Sequence, residues 1–451
     1  MENKHNFMET DSITSLMIKF SLPAIIGMIV NALYNIVDRV YIGNIRGVGH
    51  YAIAGVGITF PTVIFSFSFA ILIGIGGSSN ISLDLGRKKF QEAEKYLGTM
   101  VFFGLCIAII NVILYLAFIE EILIKLGASG ETLYYAKEYM FTLTFGVPGV
   151  IIGFLLNAAV RSDGSPRVSM GTLLIGAISN IILDPIFIFY FGMGVKGAAV
   201  ATIISQYISM IWTLYYFTLG NSRMKLHLNY IRWNFEKVKQ ICLLGSSSYA
   251  IQLAASVVNI ILNRRLVLYG GDIAIAAMAI IQSLINFMTM PIIGINQGIQ
   301  PILGYNYGAN LFHRVKETLF KAIIVATFIS TCGFLACTVF GRQVVNIFTK
   351  DPNLADLTVY SIKIGVMMFP VLGFQIISSV YFQAVGKPKL SFIISLSRQV
   401  LALIPCLYIM SYLFGLEGIW YSVPVADSVA TITSFILIRK ELKLLNSRIV
   451  S

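Results

Sequence analysis

An aspartate lies in the middle of a long apolar segment, IGAISNIILDPIFIFYF, which begins at Ile175. Asp184 follows Asn180 by four residues, and this spacing places both side chains on one face of a helix. Inserting a carboxylate at the centre of a membrane-spanning helix costs about 2.5–3.5 kcal/mol of free energy, even on the membrane-insertion scales that give the lowest values. Such a group is expected to have a partner, and it predicts a site for a cation, a proton or a substrate.

A second acid, Asp38, is placed in the same way near the end of an earlier apolar segment, IVNALYNIVDRVYIG. At ~1.5 Å per residue, Asp38 and Asp184 lie about 10 Å below the same membrane surface, and Thr202 reaches that depth from the opposite direction. Two carboxylates, an amide and a hydroxyl supply enough oxygen ligands for a small cation. Low polarity and mutual repulsion would equally favour a proton held by one carboxyl group, so both alternatives stay open.

Long apolar elements must position these groups. Of the 451 residues, 57% are hydrophobic and 12% are charged, and the mean hydropathy is +0.80. Soluble domains carry about a quarter charged residues, so the composition predicts a polytopic membrane protein. Twelve stretches are long enough to cross about 30 Å of hydrocarbon: 16–42, 52–82, 97–118, 138–160, 168–191, 195–219, 241–268, 273–303, 318–348, 358–384, 390–414 and 418–439.

The basic residues indicate orientation. The formal net charge is +12, from 33 Lys and Arg against 21 Asp and Glu. Twelve spans place both termini on one side, and most basic residues fall in segments on that side, which predicts cytoplasmic termini by the positive-inside rule. We therefore expect no nucleic-acid partner. All four histidines lie in termini or loops, so we expect no metal site beyond transient Na⁺ at the acidic cluster.

The two halves of the chain resemble each other. A shift of 222 residues lays Gly76 on Gly298, Gly86 on Gly308 and Phe90 on Phe312. Six spans in each half give both halves the same orientation, an arrangement typical of transporters. The predicted domains are an N-terminal lobe over 1–220, a cytoplasmic linker over 221–240 and a C-terminal lobe over 241–451.

The second half does not repeat the two acids. Asn263 aligns with Asp38, and Ile404 aligns with Asp184 because Pro405 matches Pro185. The remaining membrane acid of that half is Asp427, which could pair with Arg398. The other candidates are polar or adaptable side chains that could line a substrate cavity, although a methionine in such a helix also serves packing: Tyr34, Asn35, Gln252 and Met288.

Four motifs together carry a family resemblance: YNIVDRVYIG, GIGGSSNISLDLGRK, LNAAVRSDGSPR and NIILDP. In this order and spacing the chain resembles the multidrug and toxic compound extrusion (MATE) family, in its MepA-like branch. The resemblance implies an all-α fold of the MATE/MOP type, with twelve transmembrane helices in two pseudo-symmetric six-helix lobes. It implies a cation or proton site formed by Asp38, Asn180, Asp184 and Thr202, and substrate binding by Asn157.

The same resemblance implies a Na⁺- or H⁺-coupled antiporter that exports bulky, often cationic aromatic drugs by alternating access. We therefore expect a non-enzymatic, monomeric multi-pass protein of a bacterial inner membrane, with drugs and the bilayer as partners and no cofactor. One alternative is a lipid-linked precursor flippase of the same superfamily, which usually has a strongly basic central cavity. Another is an intramembrane prenyltransferase, but the sequence contains neither paired-acid DDxxD motifs nor histidine-rich loops.

Overall fold

The structure is a computed structural model that describes residues 7–45, 49–128, 130–349 and 351–450. Those residues form α-helices and contain no strand. The helices are α1 Phe7–Thr10, α2 Ile13–Gly43, α3 Gly49–Gly86, α4 Phe90–Lys125, α5 Gly130–Thr144, α6 Val147–Ser162, α7 Pro166–Pro185, α8 Gly194–Thr218, α9 Phe235–Gly308, α10 Phe312–Val339, α11 Gly341–Val345, α12 Pro352–Gly365, α13 Phe369–Ala384, α14 Pro388–Leu396 and α15 Ile404–Val450. The π-helical segments Ile186–Tyr190 and Ser397–Leu403 follow α7 and α14.

Breaks within the helices reconcile them with the twelve predicted spans. Within the described residues, 8 helices are long and apolar enough to cross a membrane, or 10 if the bent pairs α5–α6 and α12–α13 each form one span. Two of these helices are themselves interrupted, α9 at Gly271 and the run from α14 to α15 at Gly415, and both glycines have positive φ angles. A side chain rarely adopts that conformation, so each glycine marks a turn between two spans.

Apolar side chains on the outside of the helices fit a lipid environment. Ile113 of α4 is 62% exposed and Phe328 of α10 is 68% exposed, and many other large hydrophobic residues of the spans are similarly uncovered. A water-soluble protein rarely exposes such extended apolar surface. The architecture is therefore that of the expected all-α, multi-pass membrane protein.

The chain divides into two compact units, residues 26–245 and residues 1–25 together with 246–451. In the first unit α3 packs against α4, α5 and α6, and α8 packs against α6 and α7. In the second unit α13 packs against α10, α14 and α15. The units are called the first unit and the second unit below, and the lobe boundaries expected from the sequence stay a prediction.

The repeat appears in the way glycines permit helix crossings. A Cβ atom on Gly76 would lie 2.1 Å from the carbonyl oxygen of Ile241, inside the first unit. A Cβ atom on Gly298, its counterpart 222 residues later, would lie 2.4 Å from the Ser21 hydroxyl oxygen, inside the second unit. Both positions require glycine because the neighbouring helix leaves no room for a side chain.

Each unit also contains the polar segment that precedes one half of the repeat. The N-terminal segment lies in the second unit, and the segment 221–240 lies in the first unit. In the second unit the buried Arg314 guanidinium donates hydrogen bonds to the carbonyl oxygens of Met8 (3.1 Å) and Asp11 (2.6 Å). In the first unit the Lys237 ammonium donates to Glu92 (2.8 Å), and the Lys225 backbone N–H donates to Glu94 (2.9 Å). The segment 221–240 is therefore fixed to the first unit through side chains of α4.

Asp163 provides a further attachment for that segment. Its carboxylate accepts hydrogen bonds from the Tyr216 hydroxyl (2.5 Å) and from the backbone N–H groups of Arg223 (3.0 Å) and Met224 (3.2 Å). Burial raises the pKa of Asp163 to about 6, although these donors oppose the shift.

Candidate cation site

The four residues predicted for a cation site lie together inside the first unit. Asp38 is on α2, Asn180 and Asp184 are one turn apart on α7, and Thr202 is on α8. The Asn180 amide donates a hydrogen bond to Asp184 Oδ1 (3.1 Å) and makes a longer contact with Thr202 Oγ1 (3.5 Å). Three helices thus bring two carboxyl groups, an amide and a hydroxyl into one cluster.

A local change in helix geometry accompanies this cluster. Pro185 has no backbone N–H, and the chain after it forms the π-helical segment Ile186–Tyr190, in which the Phe191 N–H donates to the Ile186 carbonyl oxygen (2.9 Å). Single π-helical turns are frequent at functional sites because they redirect side chains within a helix. Asp184 lies immediately before this change.

The two acids face each other. The carboxyl groups of Asp38 and Asp184 are close enough to interact electrostatically; Asp184 is completely buried and Asp38 is partly buried. Two carboxylates at that separation in a medium of low polarity repel each other strongly. A proton or a cation between two such groups would relieve the repulsion.

Several oxygens of the cluster have no protein partner. Among the described residues, no group forms a hydrogen bond with the buried atoms Asp38 Oδ1, Asn180 Oδ1 or Asp184 Oδ2. A buried acceptor without a partner is costly, typically by about 1–3 kcal/mol. Three such oxygens in one cluster supply ligands of the type that Na⁺ or a proton would satisfy.

Other side chains surround the cluster. Arg39, which follows Asp38, is close enough to interact electrostatically with its carboxyl group, and the Arg39 guanidinium lies 6.0 Å from the centroid of the Phe60 ring. Tyr139 of α5 is buried close enough to both carboxyl groups to interact with them electrostatically. Sequence reasoning missed Tyr139 because a tyrosine among apolar residues gives no signal of its own.

The predicted substrate residues of the first unit are separate cases. Tyr34 is partly buried on α2 one turn before Asp38, and the side chain of Asn35 lies outside the described part of the chain. Asn157 is buried near the end of α6, where its amide donates to the Ser169 carbonyl oxygen (2.9 Å) and its oxygen accepts from Arg161. Asn157 therefore holds α6 to α7.

The predicted substrate residues of the second unit are both on α9. Gln252 is partly buried, and its carbonyl oxygen accepts from the Ser256 hydroxyl (3.2 Å). The Met288 sulfur contacts the Cys337 sulfur (3.7 Å), and Met288 packs against the apolar core of the second unit. Substrate binding by all five residues stays a prediction.

The second unit contains the ion pair expected between Asp427 and Arg398. Arg398 Nε lies 2.6 Å from Asp427 Oδ1, so the predicted pairing is confirmed. Arg398 belongs to the π-helical segment Ser397–Leu403, and Asp427 is on α15. Both halves therefore place charged side chains beside a π-helical segment, with like charges in the first unit and opposite charges in the second.

Known proteins share both the sequence pattern and this architecture. The MatE family profile matches residues 23–186 and 248–409. The chain is 27% identical to the multidrug export protein MepA of Staphylococcus aureus strain MSSA476, over 96% of this chain and 95% of that protein. It is 28% identical to MepA of Staphylococcus haemolyticus strain JCSC1435, over 96% of this chain and 94% of that protein.

A solved structure agrees over the full length. The crystal structure of MATE in the bent conformation superposes with a TM-score of 0.92 and 25% identity, covering 100% of both chains. The two matched segments of the family profile fall in the two halves of the chain, as the internal repeat requires. The chain is therefore a member of the MatE family of membrane transport proteins.

Proposed function

We propose that this protein is a cation-coupled multidrug efflux antiporter in which Na⁺ or H⁺ binds at Asp38, Asn180, Asp184 and Thr202. The observation that carries the proposal is the buried carboxyl pair with unpartnered oxygens. A transport cycle requires a site whose occupied and empty states differ in free energy, and two facing acids differ strongly between those states. The export activity named for the MepA relatives is consistent with this proposal.

The proposed cycle follows from charge. With the site empty, repulsion between Asp38 and Asp184 favours separation of α2 and α7, whereas a bound cation or shared proton draws the carboxyl groups together. Binding thus biases the packing of these helices in the first unit. A drug that prefers one packing is then released when the ion binds, and differential affinity for the two states couples the fluxes.

The proposal extends to the setting of the protein. Both termini lie in the cytoplasm in this proposal, which fits the distribution of basic residues, and the protein acts as a monomer in a bacterial inner membrane. The substrates are small, bulky and often cationic aromatic drugs, and the only other ligand is the coupling ion. No chemical step is needed for this function.

The flippase alternative requires a strongly basic central cavity for a diphosphate-linked lipid. In the described spans the charge of Arg398 is matched by Asp427, and the Arg265 guanidinium lies over the Tyr408 ring at 4.2 Å. These contacts favour the drug antiporter. Transport of a fluorescent lipid-linked diphosphate sugar, without ethidium transport, would reverse that preference.

Ethidium efflux from proteoliposomes under separately imposed Na⁺ and pH gradients tests the proposal. The wild type should respond to one gradient, whose identity names the coupling ion. The Asp184→Asn variant should show no response to either gradient. After extraction into detergent it should elute from a size-exclusion column like the wild type, which shows that it is folded. The proposal fails if this variant exports ethidium at the wild-type rate.

A further inference from the structure

The second unit contains a charged group with unused hydrogen-bonding capacity. An arginine guanidinium has five N–H donors, and the Nε side of Arg398 is occupied by Asp427. Within the described residues, no acceptor forms a hydrogen bond with Arg398 Nη1 or Nη2. The end of the guanidinium therefore presents an open fork, the geometry that binds a carboxylate through two parallel hydrogen bonds.

The depth of Arg398 makes this open fork unusual. The candidate span begins at Pro388, so Arg398 lies about 15 Å along the helix, near the middle of a ~30 Å hydrocarbon layer. This distance is longer than an extended arginine side chain, so the guanidinium cannot reach the headgroups by snorkelling. Its side chain is nevertheless 29% exposed, whereas that of Asp427 is 4% exposed.

A partly exposed guanidinium at that depth is unfavourable against lipid tails. The exposed fork is stable where it meets water or a polar ligand inside the protein. Asp427 is almost fully buried, and its carboxylate holds the Arg398 guanidinium through Nε, on the side opposite the free end. A guanidinium that is held on one side and free on the other is suited to bind a ligand.

We infer that Arg398 is the recognition group for the carboxylate of a zwitterionic substrate and that Asp427 positions it. Because Asp427 cancels the charge of Arg398, the pair adds no net charge to the second unit. A substrate that is itself neutral overall, with a carboxylate and an ammonium group, therefore suits this subsite better than a simple anion. The inference rests on the proposed export function for its biological role, but the binding step can be tested without transport.

A matched set of compounds tests the inference by equilibrium binding to purified protein. The set is a zwitterionic fluoroquinolone, the ethyl ester of the same compound, and ethidium, which has no carboxylate. In Arg398→Gln, affinity for the fluoroquinolone should fall about tenfold, the effect of losing one charge-assisted pair of hydrogen bonds. Affinity for the ester and for ethidium should change less than about twofold.

Further variants separate recognition from folding. The double variant Arg398→Gln with Asp427→Asn leaves no unpaired buried charge and should show the same selective loss. Arg398→Lys keeps the charge without the fork and should lose part of the affinity. Leu401→Ala, on the same π-helical segment at a 68% exposed position, should bind all three compounds like the wild type.

Transport of the same compounds keeps the two proposals distinct. If the Arg398 variants lose affinity for the fluoroquinolone alone but the wild type does not export ethidium, the export function is contradicted and the subsite is retained. Equal loss for all three compounds in the double variant, or no loss for the fluoroquinolone, would overturn the subsite while leaving the export function intact.

Discussion

The two units place different combinations of charged side chains beside similar π-helical segments. In the first unit Asp38 and Asp184 face each other and leave oxygens without partners beside the π-helical segment after α7. In the second unit Arg398 and Asp427 are matched by a contact of 2.6 Å beside the π-helical segment after α14. In the proposed function the first cluster binds an added positive charge, whereas the second already contains an ion pair.

This difference indicates how a duplicated fold can divide its tasks. A site with unmatched acids responds to ions because occupancy changes its electrostatic free energy. A matched pair does not require an ion, so it can orient a donor group toward a ligand. We expect ion coupling to belong to the first unit and part of the substrate selectivity to belong to the second.

The largest expected effect comes from breaking the acid pair. Asp38→Asn and Asp184→Asn should each abolish gradient-driven ethidium efflux, and the double variant should be no worse because the two carboxyl groups act as one unit. Initial rates in proteoliposomes measure this. Purely additive, partial losses would show that the two acids act separately. Glu120→Gln, at an exposed ion pair with Lys137, is the matched control and should keep wild-type rates.

The matched pair should behave differently when one partner is removed. Arg398→Gln leaves Asp427 buried without a counter-charge, which should lower the free energy of unfolding by about 3–5 kcal/mol. The double variant with Asp427→Asn should recover most of that loss. Thermal unfolding in detergent checks both values, and equal stability of the single and double variants would contradict the electrostatic explanation.

Moving an acid into the second unit should not create a second ion site. Ile404 aligns with Asp184 but packs against the apolar core of the second unit. Ile404→Asp should therefore destabilise the protein by about 2.5–3.5 kcal/mol without changing the number of coupled ions. Ile404→Leu is the control for shape. An increase in the measured ion-to-drug ratio would refute the assignment of coupling to the first unit.

The smallest expected effect concerns the hydroxyl ligand. Thr202→Ala should raise the half-saturating cation concentration about three- to tenfold, since one neutral oxygen ligand is lost. Ser205→Ala removes a nearby hydroxyl that bonds the Thr202 carbonyl oxygen (2.8 Å), and it should leave the cation dependence unchanged. Equal shifts in both variants would point to a packing effect on α8.

Much of the fold could be predicted from the sequence because the bilayer restricts the possibilities. Apolar length indicates the spans, and the repeated glycines indicate the duplication. The membership of Asp38, Asn180, Asp184 and Thr202 in one cluster was also accessible, through helical spacing for Asn180 and Asp184 and through depth for the others. The substrate roles of Tyr34, Asn35, Asn157, Gln252 and Met288 stay predictions, since a polar or flexible residue within a span has many uses.

The sequence by itself determined which charges must be partnered, because an isolated charge in hydrocarbon is too costly to remain alone. Only the tertiary structure decided who the partners are, since these contacts join helices that are distant in sequence. It placed Tyr139 near the two acids and turned the Nε side of Arg398 toward Asp427. Helical periodicity fixes the face and depth of a side chain, but packing fixes its neighbours and the direction of its donors.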